Sequence, residues 1–134
     1  MLTGWGGITK ADLPDSVFKL ESIPHNWLFP QMAAVVHHGG AGTTAAGLRA
    51  GVPAIVIPFF ADQPFWGRQL AHLGVGAEPI PKKKLAVDNL AKAIQSVVSD
   101  RPMQNRAAIL GQSIRVEQGV KQAVEIFHQT LASS

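Results

Sequence analysis

The 134-residue chain contains no cysteine. That absence excludes disulfides and thiolate metal sites and agrees with a reducing compartment. No apolar run approaches about 18 residues, so no membrane-spanning helix is expected. Met1-Leu2-Thr3-Gly4 lacks the basic and apolar regions of a secretion signal, which makes the cytoplasm the expected location. Charge is sparse, with 12 Lys and Arg against 9 Asp and Glu, a net +3. The only basic run, Lys82-Lys83-Lys84, follows Pro79 and Pro81 with no aromatic residue interleaved. It reads as a solvated loop, and nucleic-acid recognition has little support. There is no Asp-x-Asp run and no His/Asp cluster at ligand spacing, so neither metal nor cofactor is expected.

What the chain does have is alternation. Strand-like segments fall near 1–5, 17–21, 34–38, 54–58 and 76–80, and helical ones near 27–31, 43–50, 64–73, 87–99 and 102–131. Neither repeat nor linker interrupts them, and the length suits one domain. Strands alternating with helices predict an α/β fold, a parallel sheet with helices on its faces. Leu90, Ala93, Ile94, Val97 and Val98 recur at helical spacing, as do Val120, Ala123, Val124 and Phe127; both sets read as core-facing stripes. Gly111 and Gly119 predict a kink or a division in the last helix.

The most informative stretch is His38-Gly39-Gly40-Ala41-Gly42-Thr43-Thr44, which joins an apolar run to a helix. Glycines let backbone approach a ligand, and the free N–H groups of a helix start favour an anion. With His38, Thr43 and Thr44 adding donors, the stretch describes a phosphate cradle; a tight turn with a Thr cap remains the plainer alternative. Further on, Asp62-Gln63 follows a strand, at the sheet edge where open α/β folds bind ligands. A carboxylate beside a carboxamide suits adjacent sugar hydroxyls, while Asp62 could instead cap the next helix, with Pro64 in its first turn. Gly40-x-Gly42-x-x-Ala45 followed by Asp62 also fits a loose dinucleotide-binding fingerprint.

Four blocks in order resemble the donor-binding half of the two-domain (GT-B) family 1 glycosyltransferases, most closely the sterol 3-β-glucosyltransferase branch. They are His-Asn-Trp-Leu-Phe-Pro-Gln at 25–31, His-His-Gly-Gly-Ala-Gly-Thr-Thr at 37–44, Ala-Gly-Val-Pro at 50–53 and Pro-Phe-Phe-Ala-Asp-Gln-Pro-Phe-Trp-Gly at 58–67. The resemblance implies a Rossmann-like donor domain over 1–134, lacking the family's opening strand–helix unit and the amino-terminal acceptor-binding domain. Thr3-Gly4-Trp5-Gly6-Gly7 matches a later strand end of the family. By resemblance the donor is a UDP-sugar, UDP-glucose for the sterol branch, transferred with inversion and without metal to a lipid or sterol-like alcohol. His38, Gly40, Gly42, Thr43 and Thr44 would hold the diphosphate, Asp62 and Gln63 the sugar, and Trp27, Phe29 and Gln31 the nucleoside. The catalytic base belongs to the absent domain, so the isolated chain is expected to be inert. His37 should face away from His38, given the period of two along a strand, and reads as structural, as does His25. Ala46 stands where plant-type relatives place a ribose-binding glutamate, and Arg49 is a nearby polar candidate. Peripheral membrane contact through a lipid acceptor, and self-association through Trp5, Phe59, Phe65 and Trp66, are left open. A dinucleotide-binding domain or half of a UDP-sugar epimerase is the alternative.

Overall fold

A computed structural model describes residues 2–3, 13–117 and 119–132, which leaves Trp5 and the glycines around it outside the described residues. Short parallel pairings carry the architecture. β1 (Leu2–Thr3) pairs with β2 (Lys19–Leu20). β3 (Val35–His37) pairs with β4 (Ala54–Val56) in the register Val35–Ala54, Val36–Ile55, His37–Val56. β4 is buried along its length, and Ile55 has no exposed surface. A continuous apolar strand with no polar face belongs at the centre of a covered parallel sheet.

The expected fifth strand is reduced to a single bridge, Gly76 to Ala54. Ala77 and Ile80 still donate to Ala54 and Val56 carbonyls at 3.1 and 2.9 Å, but Pro79 between them has no N–H to extend the ladder.

α1 (His25–Leu28) leads through a 3-10 turn (Phe29–Gln31) into β3. α2 (Ala41–Ala50) then crosses to β4, and α3 (Gln63–His72) follows it. The tail is helical: α4 (Val87–Ser99), α5 (Arg101–Val116) and α6 (Gly119–Ala132). α3 and α4 pack against β4, while α2 packs against α1 and α5. Leu28, Phe29, Val35, Val52, Ala54, Val56, Leu70, Val75 and Ala107 form the core.

The expected division of the last helix falls at Glu117, ahead of Gly119, while α5 runs unbroken through Gly111. Gly111 is where α5 meets α2: a Cβ there would lie 2.6 Å from the Gly51 Cα, so the contact admits only hydrogen. The stripe Val120, Ala123, Val124 and Phe127 is not core-facing, because all four residues are exposed on a helix that buries none of its described residues. In α4, Val97 is fully buried, whereas Ile94 and Val98 lie at the margin, 37 and 40% exposed. Among the described residues no helix is long and apolar enough to cross a membrane.

Candidate functional site

The end of β3, the start of α2 and the loop after β4 converge on one place. Strand alternation separates the two histidines there. His37 is turned inward, and its Nδ1 accepts from the Gly39 amide at 3.0 Å; His38 is exposed. Burial, with the neighbouring His38 and then His25, lowers the His37 pKa from its ordinary 6.5 to about 4, so this ring is neutral near pH 7.

Two glycines shape this turn. Gly39 has φ +89°, a left-handed conformation, and a Cβ on it would stand 2.6 Å from Val56 Cγ1 and 3.0 Å from the Gln63 carbonyl. Gly40 has an ordinary φ of −60°, but its missing Cβ leaves room for the His38 ring, whose Nε2 lies 2.6 Å from where that Cβ would be. The imidazole is thereby folded over the N-cap of α2.

Among the described residues no side chain caps α2. The Thr44 amide makes the first helical bond, to the Gly40 carbonyl at 2.9 Å, so the amides of Ala41, Gly42 and Thr43 have no partner within the helix. α5 offers the contrast, because there the Asp100 carboxylate accepts from the Met103 amide at 2.8 Å. An uncapped N-terminus with a histidine over it concentrates positive potential at one point. Gly42 is exposed and Thr43 half-buried at this terminus. Thr44 is enclosed, 2% exposed, and its hydroxyl has no hydrogen-bond partner among the described residues. The outward hydroxyl of the pair is therefore that of Thr43.

The loop after β4 borders the same point. Gln63 is buried, and its Oε1 accepts from the Phe59 and Phe60 amides at 2.8 and 3.1 Å. That oxygen holds the loop, which leaves the Nε2 end for a ligand. Asp62 is exposed at the N-cap position of α3, but its side chain makes no capping bond; its Oδ2 accepts from Trp66 Nε1 at 2.8 Å. Ala61, just before it, adopts φ 56°, a strained value for a residue with a Cβ. Lys82 Nζ lies 4.7 Å from the centre of the exposed Phe59 ring.

On the other side of α2, an open cleft of about 630 Å³ is lined by Asn26, Pro30, Gly42, Ala46, Arg49 and Arg115, among others. Arg115 Nη1 donates to the Arg49 carbonyl and ties α5 to the end of α2. Of the three residues expected to meet a nucleoside, Trp27 is 59% exposed. Gln31 Nε2 is spent on the Trp27 carbonyl, at 2.8 Å. Phe29 faces the core at 7% exposure and stacks on the exposed His25 ring at 4.5 Å, so Phe29 is not open to a ligand. Asn26 was not singled out from the sequence. Its spacing of four from Pro30, which lines the same cleft, is the signal that could have found it, because residues four apart share one helix face.

Comparison with known proteins identifies the family. The chain belongs to the family of the erythromycin biosynthesis protein CIII-like C-terminal domain, which it matches over residues 7–124. It is similar to a sterol 3-beta-glucosyltransferase of Arabidopsis thaliana, 46% identical over 132 residues, 98% of this chain and 21% of that protein. The O-mycaminosyltylonolide 6-deoxyallosyltransferase of Streptomyces fradiae is 41% identical over 123 residues, 92% of this chain and 29% of that one. Among solved structures, the glycotransferase of kitacinnamycin superposes with a TM-score of 0.82 at 27% identity over 92% of this chain and 32% of its own. Spinosyn rhamnosyltransferase SpnG, complexed with thymidine diphosphate, gives 0.71 at 30% identity over 78% and 28%. The chain spans about a fifth of the length of the sterol relative. These matches displace the dinucleotide-binding alternative, whose acidic residue would close a strand; Asp62 instead lies six residues beyond β4.

Proposed function

We propose that this chain is the donor domain of an inverting, metal-independent glycosyltransferase that holds UDP-glucose for transfer to a sterol or similar lipid alcohol. The observation that carries it is the uncapped start of α2 beneath His38, an anion site built from backbone donors and one imidazole. The acceptor hydroxyl loses its proton to a base on an amino-terminal partner domain and attacks the anomeric carbon. The bond to the diphosphate breaks as the new glycosidic bond forms. Charge develops on the leaving diphosphate, where the Ala41, Gly42 and Thr43 amides and His38 would stabilise it. In this reading the exposed Trp27 ring stacks on the base, and Asp62 with Gln63 Nε2 meets the sugar hydroxyls. The sterol relatives support the choice of sugar and acceptor. Because the chemistry needs both halves aligned across a cleft, the chain alone binds donor and does not turn it over.

Backbone amide NMR with UDP-glucose tests the reading. Shifts should concentrate at Gly40–Thr43, Asp62 and the Trp27 indole. Shifts confined to α5 and α6 would overturn it.

A further inference from the structure

Anion binding at α2 depends on a left-handed Gly39, and glycine alone does not hold a left-handed turn. Free of a Cβ, it visits many conformations at little cost. Something must select this one. The only side chain hydrogen-bonded to the Gly39 amide among the described residues is His37, through Nδ1 at 3.0 Å. An amide that donates to Nδ1 requires that nitrogen to be unprotonated, so the ring carries its hydrogen on Nε2. Nε2 is itself buried and makes no hydrogen bond among the described residues. The ring is thus retained at the cost of an unpaired buried donor, which points to the other nitrogen as its purpose.

We propose that His37 is a positioning residue for the diphosphate site: its neutral imidazole clamps the Gly39 amide, and the turn so fixed aims His38 and the free amides of α2 at one anion. The inference rests on the diphosphate reading of α2 and deepens it. His37 touches no ligand. The strand sends its side chain inward while His38, the next residue, goes out. Protonation would place a hydrogen on Nδ1 and break the clamp. Burial opposes that, and so do the two other titratable groups acting on the ring, His38 beside it and His25 on α1.

The test compares UDP and uridine binding to the chain by calorimetry in two variants. His37→Asn retains an acceptor, Oδ1, at nearly the same reach from the backbone, whereas His37→Leu keeps the bulk and loses the acceptor. His37→Leu should lose about tenfold in UDP affinity, the worth of one charge-assisted contact, and leave uridine within about twofold. His37→Asn should recover most of the UDP affinity. Equal losses in the two variants, or unchanged UDP binding by His37→Leu, would overturn the proposal. Should His37→Leu fail to fold, nitrogen-15 NMR of the wild-type imidazole decides instead. An unprotonated Nδ1 coupled to the Gly39 amide is expected, and a protonated Nδ1 would sink it. If wild-type chain binds UDP no better than uridine, the diphosphate reading falls, while the NMR result still judges the clamp.

Discussion

Gly40→Ala places a methyl group where only the His38 ring now fits. The added Cβ would stand 2.6 Å from His38 Nε2 and 3.3 Å from Cε1, with no other residue among its three nearest atoms. The backbone at Gly40, φ −60° and ψ 143°, is open to any residue. Folding should therefore change little: alanine is a poorer N-cap than glycine by about 1 kcal/mol, and its stiffer unfolded chain offsets about 0.4–1 kcal/mol of that. Affinity should change much more. The imidazole must swing off the start of α2, and losing its contact to phosphate should cost about 1.5–3 kcal/mol, roughly 10- to 150-fold. Calorimetry with UDP and uridine, beside a thermal melt, reads both quantities. In a His38→Ala background the same substitution should cost almost nothing further, because the group it displaces is already gone. Full additivity of the two losses, or unchanged UDP affinity in Gly40→Ala, would refute the reasoning.

Asp62→Ala removes an exposed bond to Trp66 and no helix cap, so stability should fall by no more than about 1 kcal/mol. UDP affinity should hold while the preference for UDP-glucose over UDP is lost, as read by competition calorimetry. Phe29→Ala should destabilise by about 3–5 kcal/mol through the core cavity it leaves. Trp27→Ala, on an exposed ring, should leave the melt nearly unmoved and weaken uridine binding by about 1–3 kcal/mol if stacking holds the base. Stability should also depend on acid through His37. Its folded pKa of about 4 lies below the ordinary 6.5, so the unfolded chain takes up the proton first as pH falls. The contribution is complete above about pH 6.5 and is lost progressively down to about pH 4, about 3 kcal/mol in all. Denaturant midpoints of wild type and His37→Asn across that range should converge.

Backbone demands were legible in the sequence where glycine marks them. The Gly39-Gly40 pair after a strand implied a turn opening a helix, and alternation alone separated the roles of His37 and His38. Side-chain direction in short elements was not legible. α1 and the turn after it span too few residues for a helical period to show, so nothing revealed that Phe29 turns inward while Trp27 stays out. The hold of Gln63 Oε1 on the Phe59 and Phe60 amides was not legible either, because it is set by how the loop folds back. Gly111 misled for the opposite reason. A glycine inside a helix suggests a break, and only the neighbouring Gly51 backbone shows it to be a close contact. The stripe on α6 was legible as apolar, but periodicity cannot say what covers it.

The account turns on the start of α2 being a diphosphate site. Calorimetric titration of the wild-type chain with UDP, uridine and NAD at one salt concentration tests it most directly. UDP should bind at least about tenfold more tightly than uridine, since the diphosphate adds charge-assisted contacts, and more tightly than NAD. Equal affinity for UDP and uridine would contradict it, as would tighter binding of NAD.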